Sequence, residues 1–293
     1  MQNEIAYSRP VTLTNILRFA VPTIAMSVFM SFYTMVDGLF VSNLIGTSAL
    51  SALNLVYPVI ALVTAISTML ATGGSAAIMR KMGEGKPDEA KQDFTFLILV
   101  NVLTGLVMCG LGYLFMGKIF GSMSLSPEVS AYCWEYLSRY LLFTVPILLM
   151  NNFTLYMIAA GKASLSLLCS VAGGVTNIVL DVLLVGILHW SVEGAAIATM
   201  LSQVVGGLLP VFYFLNRNNT SLLHLCRPQF EGGVLLKACV NGSSELMTNL
   251  SMSLVNILYN YQLLRFAGED GVAAYGVIMY ASFLFVAGFV GYA

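Results

Sequence analysis

Charge is what this sequence has least of. Lys, Arg, Asp and Glu make up 9% of its 293 residues, against roughly a quarter in an ordinary soluble domain, so water is not its main solvent. The formal net charge of -1 and the lack of any Lys/Arg-rich stripe with interleaved aromatics set nucleic-acid binding aside. Cysteine is also sparse. Cys109, Cys133, Cys169, Cys226 and Cys239 are scattered with no C-x-x-C spacing, so neither a zinc site nor a disulfide framework is indicated, and small apolar fillers are expected. No cofactor is expected, and no obligate protein partner is evident.

Hydrophobic residues, by contrast, make up 58% of the chain. A bilayer-spanning helix needs about 20 mostly apolar residues, and that length recurs, which distinguishes the chain from a secreted protein with one signal peptide. Seven complete spans and part of an eighth are expected: Ile16 to Ile45, Leu53 to Ile78, Phe94 to Met116, Tyr136 to Ala159, Ser164 to Leu188, Gly194 to Leu215, Ala238 to Leu264, and Val272 onward. With the N-terminus cytoplasmic, Arg9, Arg18, Arg80, Lys81, Lys86, Lys91, Lys162, Arg217, Arg227 and Lys237 fall inside. Only Lys118, Arg139 and Arg265 fall outside. This asymmetry predicts a multi-pass plasma-membrane protein with its N-terminus in. Trp134, Tyr136, Tyr140, His189 and Trp190 are expected at the outer interface, where amphipathic rings are favoured.

Sliding the chain along itself lays Leu17-Arg18 on Leu236-Lys237 and Val36-Asp37 on Val255-Asn256. Six spans separate the copies, the plan of a parallel repeat of six-helix halves. On that plan residues 1–215 form one six-helix lobe, 216–237 a cytoplasmic inter-lobe linker, and 238–293 the start of a second lobe. The chain then stops inside the second lobe, and the sequence predicts a truncated protein that cannot perform energised export alone.

Acidic residues within spans are informative because a charge at the bilayer centre costs about 2.5–3.5 kcal/mol even on lenient scales. Asp37, Asp181 and Glu245 qualify. Almost no Lys or Arg lies deep enough to neutralise them; Arg139 is nearest, with Glu135 one helical turn away as its expected partner. Counting at 1.5 Å per residue, Asp37, Asp181 and Thr199 all lie about 9–12 Å beneath the outer face. Asn177 precedes Asp181 by four residues and shares its helix face. Two carboxylates, a carboxamide and a hydroxyl at one depth make a hard-oxygen set suited to a proton or a Na⁺ ion. Interhelical hydrogen bonding is the plainer alternative for Asn177 and Thr199. Glu245 lies near the cytoplasmic side, apart from that set, and with Asn256 it is a candidate substrate or gating position.

Pro22, Pro58, Pro146 and Pro210 fall inside spans, where each removes a donor and favours a kink. Gly173-Gly174 suits close helix packing. Asn152-Phe153-Thr154 and Asn218-Asn219-Thr220 match the glycosylation pattern, but the first lies in a span and the second is expected inside.

The stretch YTMVDGLFVSNLIG from Tyr33 to Gly46 with the following ALSALNLVYP, the pair TNIVLDVLLV and GAAIATMLSQ over Thr176–Val185 and Gly194–Gln203, and the loop MRKMGEGKPDEA resemble the multidrug and toxic compound extrusion (MATE) family. The resemblance runs over essentially the whole chain. It implies an all-α membrane fold of twelve helices in two six-helix lobes around a cleft, with about eight spans present here. It also implies a cation site on Asp37, Asn177, Asp181 and Thr199, a bending proline at Pro22, and the seventh-helix acid at Glu245. The function it implies is Na⁺- or H⁺-coupled antiport of amphipathic or cationic small molecules. A lipid-linked saccharide flippase of the same superfamily is the alternative, disfavoured by the near absence of intramembrane Lys/Arg. An intramembrane aspartyl protease using Asp37 and Asp181 is a third, but the flanking VDGL and VLDVL lack the expected G-x-G-D loop.

Overall fold

A computed structural model describes residues 12–121, 123, 125–216, 223–230 and 232–292. Arg9, Arg217 and the Asn218-Asn219-Thr220 motif lie outside the described residues. The described chain is helical, as a lipid-facing backbone requires, since every N–H and C=O must be paired within the segment.

Helix α1 (Leu13–Phe40) continues into a π-helical turn, Val41–Ile45. Gly46, at φ 132°, reverses the chain into α2 (Thr47–Gly83), and a short polar turn leads to α3 (Pro87–Gly121). α4 (Pro127–Leu142) and α5 (Thr144–Ala159) follow, then α6 (Ala163–Asp181) with a second π-helical turn, Val182–Ile187. α7 (Val192–Leu215), α8 (Gly232–Asn241) and α9 (Ser243–Tyr292) complete the order. The end of the molecule where α1 finishes and α2 begins is termed the distal face below, and the opposite end the proximal face.

Among the described residues, five helices are long and apolar enough to cross a membrane: Ala20–Ile45, Thr47–Gly83, Pro87–Gly121, Ala163–Ile187 and Val192–Leu215. The pair α4 and α5, bent by 60°, is long and apolar enough only when taken together, which brings the number to six if the pair is one span. The sequence predicts one straight span from Tyr136 to Ala159, and the structure corrects this to a broken one. Pro146 sits in the first turn of α5 and cannot donate to the carbonyl of Leu142. Thr144 Oγ1 binds the carbonyl of Leu141 at 2.8 Å instead, and the helix restarts after Phe143. The expected eighth span and all but the start of the seventh fall within α9, which turns at Gly268 (φ 66°, ψ -161°). The expected seventh span also starts too early, at Ala238: the chain breaks at Gly242, and the linker boundary at residue 237 falls inside α8. Val234 and Ala238 are buried, so this apolar turn folds as a helix on α2.

Helix α6 lies between α1 and α7, α5 packs on α2, α3 and α7, and α9 runs along α1 and α2. Gly173 and Gly174 serve these contacts. A Cβ on Gly174 would lie 2.5 Å from Phe29 of α1, and one on Gly173 would lie 3.2 Å from the Ser202 carbonyl of α7. Towards the proximal face the core is aromatic: the Phe94 ring meets Tyr156 and Phe214 at centroid distances of 5.1 Å each. Between α2, α3 and α5 lies a buried polar knot. Asn101 and Asn152 exchange two hydrogen bonds, at 2.9 and 2.8 Å, and Asn152 also donates to Ser67 Oγ at 3.0 Å. This gives Asn152 a packing role.

The proximal rim carries the basic residues the sequence places there. Lys81 pairs with the buried Asp93 at 2.7 Å, and Arg80 holds the Glu84 carboxyl below the usual carboxylate range through a 2.8 Å bond. The segment 223–230 is pinned to α3, since the Cys226 N–H donates to Thr95 Oγ1 at 3.0 Å. All five cysteines are free thiols, with Cys133 and Cys169 buried.

Candidate functional site

The four residues predicted to share a depth come together near the distal end of the molecule. Asp37 lies in the last turn of α1 and Asp181 is the last residue of α6; each is followed within a few residues by a π-helical turn. Such turns interrupt the regular backbone ladder and often mark functional positions. No residue pattern foretells them. Asp181 and Asn177 are 0% exposed and Asp37 is 9% exposed.

Asn177 Nδ2 points to Thr199 Oγ1 at 3.4 Å, and the Thr199 hydroxyl donates to the Ala195 carbonyl at 3.0 Å. The Thr199 proton is thus committed to the helix backbone, and its oxygen is the acceptor that faces Asn177. The side chains of Asp37 and Asp181 are close neighbours. Two carboxylates are both acceptors, so their approach satisfies neither. Asp37 Oδ1, both Asp181 oxygens and Asn177 Oδ1 are buried without a hydrogen-bond donor. Among the described residues neither aspartate forms an ion pair. A buried group left in this state costs about 1–3 kcal/mol, more when charged. A proton shared between the carboxyls, or a cation among the four oxygens, removes that cost.

Arg139 does not supply the charge. The sequence pairs it with Glu135, but its guanidinium binds Glu193 in the first turn of α7, and Glu135 instead accepts from Ser191 Oγ at 3.2 Å. α4 and α7 lie side by side, and a partner across that interface displaces the one on the same helix.

Three phenols lie in the neighbourhood of Asp37: Tyr33, Tyr136 and Tyr280. Tyr136 turns its hydroxyl towards Thr199, and Tyr33 turns towards Gln203. The Tyr280 ring lies over Gly38, where a Cβ would sit 2.5 Å from it. Tyr136 and Tyr140, expected at the membrane interface, are 6% and 5% exposed and face inward. Trp134 and Trp190 are exposed.

The remaining candidates lie elsewhere. Pro22 is inside α1, fifteen residues from Asp37, or about 22 Å along an ideal helix. Glu245 is in the first turn of α9. Asn256 is buried between Met279 and Asn260 and does not join the aspartates. Among the described residues no cluster of three or more His, Cys, Asp or Glu could hold a metal ion. Any ion at Asp37 and Asp181 would therefore depend on the neutral oxygens of Asn177 and Thr199 as well.

Residues 22–183 match the MatE family model. The chain belongs to the MatE family. Over 261 residues it is 24% identical to the multidrug export protein MepA of Staphylococcus haemolyticus, a match covering 89% of this chain and 58% of MepA. The MepA protein of Staphylococcus aureus is 22% identical over 263 residues, with the same coverage. This MatE chain thus spans somewhat more than half the length of the curated relatives it matches. A MATE family transporter of the MOP superfamily, solved in an outward-facing conformation, superimposes with a TM-score of 0.84 at 26% identity, over 94% of this chain and 61% of that one. A MOP superfamily transporter from Pyrococcus furiosus gives the same TM-score, identity and coverage. The family is one of transporters, not enzymes, which removes the aspartyl protease reading although the two aspartates do meet. The chain is a multi-pass membrane protein.

Proposed function

We propose that this chain is the N-terminal part of a cation-coupled exporter of amphipathic or cationic small molecules, in which Asp37, Asp181, Asn177 and Thr199 bind the coupling Na⁺ or H⁺. The observation that carries the reading is the set of buried carboxylate and carboxamide oxygens that no protein donor satisfies. A group held this way in apolar surroundings has to take its neutralising charge from solution. An excess of Lys and Arg near the proximal face is the pattern of a cytoplasmic side, and on this reading the distal site faces the outside. The coupling ion would enter down its gradient at this end, and a change in the packing of the two six-helix lobes would carry substrate out. Pro22 is the candidate hinge, with Glu245 and Asn256 on the second-lobe side of the substrate path. The export activity named for the MepA relatives agrees with this direction.

Asp37→Asn tests the reading, because the amide keeps the shape but neither takes up a proton nor balances a cation. Made in a full-length version carrying both lobes, the substitution should abolish the gradient dependence of fluorescent cationic dye efflux from cells at equal expression. Undiminished gradient-driven efflux would reject the assignment.

A further inference from the structure

Pro58 lies inside the distal third of α2 and has no N–H, so the carbonyl of Asn54 loses its partner within the helix. The missing donor comes from another part of the chain. Asn260 of α9 places Nδ2 2.9 Å from the Asn54 carbonyl oxygen. The second hydrogen of the same amide goes to Asn256 Oδ1 at 2.8 Å, which fixes its orientation.

This bond is one of a series that ties α9 to the first half along the distal part of α2. Ser253 Oγ reaches the Pro58 carbonyl at 3.2 Å, and Ser51 Oγ reaches the Glu269 carbonyl at 2.5 Å. At the distal end the Glu269 carboxylate accepts from Ser126 N at 2.9 Å and Ser126 Oγ at 3.0 Å. Ser126 is the N-cap of α4, where a negative charge is favoured by the exposed N–H groups. Asn260 also lines a cavity of about 80 Å³ with Leu55, Pro58 and Tyr261, and its own Oδ1 has no donor. The amide therefore keeps a free acceptor beside this cavity.

We propose that Asn260 is a positioning residue that couples the two halves: it closes the hydrogen bond that Pro58 leaves open in α2, and this bond breaks and re-forms as the distal side opens and closes. In water an uncapped carbonyl is solvated at little cost, but within the membrane it needs a protein donor or an entering water. The Asn54 carbonyl can thus be left unpaired only when the distal side is hydrated, which ties the state of α2 to the separation of α9. The inference rests on the transporter reading above for its role in a cycle, while the coupling itself is measurable without transport.

The test uses the full chain in lipid nanodiscs with encoded spin labels at Glu128 and Asp270, both exposed and on opposite sides of the distal seam. Asn260→Leu should raise the ratio of long to short distances about three- to fifteen-fold, the range covered by single hydrogen bonds between membrane helices. Pro58→Ala restores the backbone donor within α2, so Asn260→Leu added to Pro58→Ala should shift the ratio far less than Asn260→Leu alone. Equal shifts with and without Pro58→Ala would overturn the proposal, as would no shift in Asn260→Leu. Because Pro58→Ala removes a helix breaker, loss of folding in Asn260→Leu alone that is rescued in the double variant would equally support it. Cation binding at Asp37 and Asp181, measured on the same samples, reports separately on the transport reading.

Discussion

The Asn101–Asn152 pair permits a quantitative test of how the first six spans hold together. Both side chains are 0% exposed. Asn101→Leu removes the two reciprocal bonds and leaves Asn152 Oδ1 with no donor, while Asn152 Nδ2 keeps Ser67 Oγ and the Leu148 carbonyl. Side-chain hydrogen bonds between membrane helices average about 0.6 kcal/mol each, and an orphaned buried acceptor costs about 1–3 kcal/mol. The single substitution should therefore cost about 2–4 kcal/mol. Asn152→Leu should cost a similar amount, since it orphans Asn101 Oδ1 and Asn101 Nδ2 keeps only the Leu97 carbonyl. The double variant leaves no amide to orphan and replaces the pair with two apolar side chains, so it should be less destabilised than the sum of the singles by about 2 kcal/mol. Steric-trap unfolding in bicelles gives the three free energies. If the singles add to the double within about 0.5 kcal/mol, as independent sites do, the reciprocal pair does not exist in the membrane.

Further outcomes follow from the same kind of accounting. Asp37→Asn should abolish Na⁺ binding, or proton release on deprotonation, by the purified protein in calorimetry while its melting temperature holds or rises, because a buried carboxylate is removed; retained binding would move the site elsewhere. Gly73→Ala should separate α8 from α2, since the new Cβ would meet the backbone of Ala238 and lie 2.7 Å from the Gly242 nitrogen. Overpacking of this kind costs about 1–3 kcal/mol, and faster proteolysis of the 223–230 segment against wild type is its readout. Arg139→Gln should change stability by less than about 1 kcal/mol, because both partners of the Glu193 pair are roughly 40% exposed and exposed pairs contribute little.

Much of this arrangement is legible in the residues alone, and the reasons are specific. Spans 1 to 6 are long apolar runs, and depth counting along straight helices brings Asp37, Asn177, Asp181 and Thr199 to one level. What escapes is whatever depends on two helices at once. Tyr136 reads as an interfacial ring because it is amphipathic and near a span end, yet α7 places Thr199 beside its hydroxyl. Arg139 has a suitable acid on its own helix and still pairs with Glu193. Pro146 announces a bend but not that the bend separates two helices by 60°. The π-helical turns after Asp37 and Asp181 have no sequence signature to be read from.

The buried polar residues also show why an intramembrane polar residue cannot be classified from its sequence position. Asn152 and Asn177 look alike in the chain: each is an amide within an apolar helix. In the fold Asn152 has donors and acceptors supplied by α2, α3 and its own helix, whereas the Asn177 oxygen has no donor. Tyr140, Tyr156 and Ser170 also carry unpaired hydroxyls, but these are neutral and impose a modest cost. Among the described residues, Asp93 also has a buried carboxylate oxygen but is paired with Lys81, whereas at Asp37 and Asp181 the unpaired group is a carboxylate with no cationic partner. A satisfied polar group binds helices together and resists change, while an unsatisfied carboxylate makes the energy of the fold depend on an ion from outside. That dependence is the property a coupled transporter requires, and it belongs to the arrangement of α1, α6 and α7 rather than to any one of their sequences.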